Sequence, residues 1–153
     1  MHPGHVGYCL SGGIALQAAA DFPERIVAAA SFHGGRLATE APDSPHLRAA
    51  GIRARLYFGY ATDDASMPPD AIARLEAALT AAGVVFRGEV YPARHGWAVA
   101  DSPAYDRDAA ERHWTALLDH LAAAFPHRGS RRDDPARVMS GTGKATVRTG
   151  KSG

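Results

Sequence analysis

One cysteine, at position 9, is all the thiol chemistry the 153 residues possess, so no disulfide can form within the chain. The apolar stretches also break off well short of the roughly 20 residues that a helical bilayer span requires. The opening residues lack a basic segment followed by an apolar one, so a cytoplasmic location is expected, with no membrane association. A large excess of charge of one sign is missing too. Seventeen Lys and Arg face sixteen Asp and Glu, leaving +1, and a balance so close to zero gives no overall field to attract nucleic acid or an anionic surface.

What is present suits one packed domain: 46% hydrophobic and 22% charged residues over a length that can bury a core. The last stretch differs. Residues 127–153 carry seven basic and two acidic side chains among Gly, Ser and Thr, with almost no large apolar residue, and are expected to form a disordered tail. Within it "SGTGKAT" lacks the spacing of a phosphate loop, because Ala145 follows Lys144, so nucleotide binding is not expected.

Short apolar runs end at turn-forming residues. "HVGYC", "RIVAAASF", "ARLYFGY" and "VVFRGEVYP" read as strands. Helices are expected over "GGIALQAAADF", over "DAIARLEAALTAAG" with Ile72, Leu75 and Leu79 on one face, and from about Asp106 to Phe125 with Trp114, Leu117, Leu118, Leu121 and Phe125 inward. Ser66 or Asp64 is placed to cap the second helix, with Pro68 or Pro69 starting it and Gly83 stopping it. The order strand, helix, strand, strand, helix, strand, helix predicts an α/β fold, a mainly parallel sheet flanked by helices. Ligands in such sheets gather beyond the strand C-termini.

Three of those ends carry suitable chemistry. Cys9 sits among Gly7, Ser11, Gly12 and Gly13, residues small enough for an abrupt strand-to-helix turn that lifts a thiol to a helix N-terminus, where free N–H groups favour a thiolate. His95, in "YPARHGWAV", can accept a proton from such a thiol and return one to a leaving group. Asp63 and Asp64 both follow the third strand, and either can orient the imidazole. The sequential order nucleophile, acid, histidine is that of an α/β-hydrolase. His33 is assigned a structural or supporting place at the pocket rim, and Trp97 a pocket wall or a packing role. His2, His5 and His33 with Asp63 have no compact ligand spacing, so no metal is expected.

The segments "VGYCLSGG", "AAASFHGG", "YFGYATDDASMPP" and "YPARHGWAVADSPAYDRDAAERHW" together resemble the dienelactone hydrolase family of α/β-hydrolases over roughly residues 5 to 125. The resemblance implies Cys9 as nucleophile, His95 as base and, because that family's acid stands four residues before a proline, Asp64 with Pro68 rather than Asp63. It implies a cofactor-free hydrolase of lactones or small carboxylic esters acting through an acyl-thioester, with the backbone N–H of Leu10 as one oxyanion donor. Val99 stands where the family resembled places a carboxylate-binding arginine, which leaves Arg94 or Arg36 as replacements.

Only eight residues precede Cys9, so residues 1–126 are expected to match the C-terminal portion of such a domain, with the N-terminal strands missing. The first strand would then expose an edge open to self-association. A noncatalytic interaction or structural protein, built on an incomplete hydrolase fragment, is the alternative function.

Overall fold

The computed structural model describes residues 3–125; the tail and its phosphate-loop-like "SGTGKAT" lie outside the described residues, as does His2. Four strands, β1 (Gly4–Tyr8), β2 (Ala28–Phe32), β3 (Arg55–Ala61) and β4 (Phe86–Tyr91), form one sheet in sequential order. All three pairings are parallel, with Tyr8 beside Phe32 and Tyr60 beside Val90, so the strand C-termini share one edge. Helices α1 (Leu10–Asp21), α2 (Pro69–Ala81) and α3 (Arg107–Ala124) complete the α/β architecture, together with a 3-10 helix at Pro45–Gly51.

Alternation along the strands separates two cores. Leu56, Phe58 and Tyr60 of β3 face Leu16 and Ala19 of α1 and Leu75 and Leu79 of α2. Tyr57 and Ala61 on the same strand face the other way, toward Phe32, Tyr91, Trp97 and Leu117. Both central strands are buried on each face, which accounts for their nearly continuous apolar runs.

The packing face of α3 differs from expectation. Ala109, Ala110, His113 and Leu117 are buried, Leu121 partly so, while Trp114 and Leu118 are 52% and 63% exposed. Each of these two lies one residue, about 100°, round the helix from the stripe that meets the sheet. His113 occupies the inward position because its polar atoms are satisfied there: Nδ1 donates to the Ala110 carbonyl at 2.5 Å and Nε2 accepts from the Tyr8 hydroxyl at 3.0 Å. The start of α2 is a second correction. Its N-cap is Pro68, without a side-chain bond, and neither Ser66 nor Asp64 caps it. Gly83, at φ 70°, does end the helix in the left-handed region.

Candidate active site

The turn from β1 into α1 is steep enough to force unusual backbone. Cys9 has φ 53° and ψ −123°, a region that a side chain rarely adopts. The helix passes so close over the strand that a Cβ on Gly7 would lie 2.1 Å from the Ser11 carbonyl oxygen, and one on Gly12 would lie 2.2 Å from Ser31 Oγ. Only glycine permits the first approach, which is against backbone; at Gly12 a Cβ would have to displace the Ser31 hydroxyl. Ser11 Oγ ties the turn together, accepting from the Tyr8 amide and donating to the Tyr8 carbonyl, each at 2.7 Å. Cys9 is thereby exposed at the N-terminus of α1, and Leu10 is the first helical residue, with a backbone N–H that no intrahelical acceptor can reach.

His95 comes from the loop after β4 and Asp64 from the turn after β3. Cys9 Sγ lies 2.8 Å from His95 Nε2, and His95 Nδ1 lies 2.7 Å from Asp64 Oδ2. The carboxylate fixes the tautomer: Nδ1–H donates to Asp64, which leaves the Nε2 lone pair for the thiol. Asp64 Oδ1 accepts from both the amide and the hydroxyl of Ser66, at 2.8 and 2.5 Å. Burial alone would raise the Asp64 pKa, but these bonds and His95 outweigh it and hold the carboxyl below its ordinary range. For His95, burial pulls downward, yet the bonds to Asp64 and Cys9 and their charges raise it above its ordinary value. The three groups run from a buried carboxylate, through a half-buried imidazole, to an exposed sulfur.

Asp63 is not part of this chain of contacts. It is exposed at φ 56°, and the backbone there turns Asp64 rather than its neighbour toward His95. Arg36, Arg94 and Val99 are all exposed. Trp97 is fully buried and stacks on Tyr91 at 4.7 Å between centroids, so it supports the histidine loop from beneath. His33 is also fully buried, edge-on to both His95 and Trp97 at 5.4 and 4.8 Å. Burial first, then the nearby His95, lowers its pKa to about 4, so it is neutral near pH 7. Among the described residues neither ring nitrogen of His33 has a hydrogen-bond partner.

His5 and Asp63 are both exposed, whereas His33 is buried. Among the described residues, the group with metal-ligand proximity is instead Cys9, His33 and His95. Sequence reasoning missed Ser66, although a serine two residues after an aspartate is the spacing of a local side-chain turn. It also missed the juxtaposition of His33 with Cys9, for which sequence spacing held no signal. A cleft of about 430 Å³ lined by Arg55, Arg87, Arg112 and His120 lies toward the opposite ends of β3 and β4 and contains none of these groups.

Residues 3–125 match the family described as "Dienelactone hydrolase family". Among solved structures, the chain is similar to one assigned as a dienelactone hydrolase from Klebsiella pneumoniae subsp. pneumoniae MGH 78578, with 28% identity and a TM-score of 0.71, over 78% of this chain and 51% of that one. It also resembles in fold a dienelactone hydrolase-like promiscuous phosphotriesterase from metagenomic libraries, at 22% identity and TM-score 0.65, over 79% and 52% of the two chains. An acylaminoacyl peptidase from Pyrococcus horikoshii shares the fold at 14% identity and TM-score 0.63, over 83% and 25%. The chain therefore spans about half the length of the dienelactone hydrolase structures it matches. No curated protein shows a significant match. No helix among the described residues is long and apolar enough to cross a membrane.

Proposed function

The chain belongs to the dienelactone hydrolase family, and from that membership we propose that it carries a cysteine-dependent centre for hydrolysing lactones or small carboxylic esters. The observation that carries this reading is the unbroken contact from Cys9 Sγ through the His95 ring to Asp64. Cys9 is the nucleophile, His95 the base and Asp64 the group that orients His95 and stabilises its charged form.

In the first half-reaction the Cys9 S–H proton passes to His95 Nε2 and the sulfur attacks the carbonyl carbon. The carbonyl electron pair moves onto oxygen, and the resulting oxyanion is met by the Leu10 N–H. Collapse breaks the C–O bond of the ester, and His95 returns its proton to the departing oxygen, leaving an acyl-thioester on Cys9. In a lactone the departing oxygen stays tethered to the acyl group. Water then gives a proton to His95 Nε2 and attacks the thioester; the C–S bond breaks, the carboxylic acid leaves and Cys9 regains its proton.

Val99, at the position where the family resembled places a carboxylate-binding arginine, favours substrates without an obligatory anionic group over anionic lactones. In this reading residues 1–126 supply the C-terminal portion of an α/β-hydrolase domain, and the outer edge of β1 is where a further strand, or a second copy of the chain, would pair.

The test is p-nitrophenyl acetate turnover by this chain beside its Cys9→Ser variant, with the oligomeric state of both measured. Turnover that disappears in Cys9→Ser is the expected result. A folded chain with no turnover, or turnover indifferent to Cys9, would overturn the reading.

A further inference from the structure

His33 is an anomaly unless something reaches it. Its side chain is completely buried, and neither ring nitrogen has a hydrogen-bond partner among the described residues, although an unpaired buried polar group costs about 1–3 kcal/mol. Its neighbours are the groups most able to use a free nitrogen lone pair. One ligand atom from each of Cys9, His33 and His95 lies within 4.8 Å of the others, and Cys9 Sγ is already 2.8 Å from His95 Nε2.

We propose that Cys9, His33 and His95 form a three-ligand site for a thiophilic divalent cation, typified by Zn²⁺, at the ends of β1, β2 and β4. A sulfur and two imidazole nitrogens are a donor set suited to zinc, with Zn–S near 2.3 Å and Zn–N near 2.0–2.1 Å. Those lengths require the most distant ligand atoms to approach by roughly 1 Å. The His95 ring is already oriented for this, because Asp64 takes its Nδ1–H at 2.7 Å and directs Nε2 toward the sulfur, the carboxylate–histidine arrangement found behind metal-ligating imidazoles. Cys9 is exposed, which gives the ion an entry path and leaves the fourth position to water.

On binding, the Cys9 S–H bond breaks and its proton goes to solvent, the sulfur electron pair goes to the metal, and both imidazoles donate as neutral ligands; nothing is oxidised or reduced. The ion would occupy the same sulfur and nitrogen as the proposed hydrolase, so the inference rests on that pair and makes the cation a reversible inhibitor. Sequence spacing cannot reveal the site, since each ligand follows a different strand.

The experiment titrates Zn²⁺, and separately Co²⁺, into the full chain without substrate. One ion per chain is expected, with protection of Cys9 from iodoacetamide, a thiolate-to-cobalt charge-transfer band and hyperfine-shifted ring protons from two histidines. Cys9→Ser and His33→Gln should lose stoichiometric binding, and Asp64→Asn should weaken it by about 10–100-fold. Absence of one-to-one binding, binding that survives Cys9→Ser, or a cobalt complex without the thiolate band or with only one shifted histidine would overturn the proposal. The cobalt spectrum of the unmodified chain decides the matter even if His33→Gln does not fold. Zinc bound by a chain that fails to hydrolyse p-nitrophenyl acetate would uphold this site and count against the hydrolase, whereas turnover without zinc binding would do the reverse.

Discussion

The two faces of the sheet are filled by different chemistry. Beneath α1 and α2 the core is mainly aliphatic, with Leu16, Ile26, Leu37, Leu56, Leu75 and Leu79. Beneath α3 it is aromatic and polar-tipped: Phe32, Tyr57, Tyr91 and Trp97, with His113 pressed edge-on against Phe32 and bonded to Tyr8. Aliphatic side chains need only volume and shape, whereas each tyrosine or histidine on the second face also needs a partner for its polar atom. That second face runs on through Trp97 and His33 to His95. The face with the more demanding packing is thus the one that supports the site, and the other holds the sheet in shape for it.

The largest effects should separate site from scaffold. His95→Ala is expected to lower ester turnover by about 10⁴–10⁶-fold while the melting temperature changes little. Asp64→Asn should lower it by about 10⁴-fold, whereas exposed Asp63→Asn should leave turnover within about twofold and stability within about 0.5 kcal/mol. Equal losses at the two aspartates, measured by steady-state kinetics, would break the assignment of Asp64.

Next comes the aliphatic face. Leu75 is completely buried, and Leu75→Ala should cost about 2–5 kcal/mol in urea unfolding, chiefly through the cavity it leaves. Chain that stays folded should keep its turnover per molecule, since Leu75 packs in the cluster of Leu16, Leu56 and Leu79, which contains none of Cys9, Asp64 and His95.

Acid should act through the histidines of the aromatic face, and with opposite signs. Burial lowers the pKa of His33 and His113, so each stabilises the fold in its neutral form. That contribution is complete above their unfolded value near 6.5 and is lost as pH falls toward the folded value, about 4 for His33. A loss on the order of 1–3 kcal/mol between pH 7 and 4 is expected from this pair. His95 has the opposite sign: its raised pKa stabilises the fold below 6.5, and the benefit disappears as pH rises through the raised value. Ring resonances followed by NMR should therefore place His95 above 6.5 and His33 far below it. The same ordering in unfolded chain would contradict the account.

The smallest predicted effect sharpens the contrast. Tyr57 on the aromatic face donates to Glu89 at 2.8 Å and meets the Tyr91 hydroxyl at 2.9 Å. Tyr57→Phe should cost about 0.5–1.5 kcal/mol in denaturant unfolding, because Glu89 keeps its ion pairs with Arg87 and Arg112.

Local pattern carried much of this architecture. Central strands such as "ARLYFGY" are apolar on both faces, and α2 announces itself through Ile72, Leu75 and Leu79, so their types could be read from one dimension. The inward face of α3 could not. Hydropathy favours Trp114 and Leu118, but His113 takes the buried position because Tyr8, 105 residues away, supplies its partner. The same limit holds at the site. Cys9, His95 and the aspartate pair were visible as polar residues at strand ends, but the residues alone left Asp63 and Asp64 open, only the family resemblance favoured Asp64, and the approach of His33 depends on strand register. The 3-10 helix at Pro45–Gly51 lacks an apolar period long enough to declare itself.

The most direct measurement is acid-quenched intact-mass spectrometry of the chain during p-nitrophenyl acetate turnover, followed by peptide mapping. An acetyl group on Cys9 that forms with the p-nitrophenol burst, decays on further incubation and is absent from Cys9→Ser is the predicted result. Turnover with no acyl group on Cys9, or a stable acetyl on another residue, would contradict a thioester mechanism at this centre.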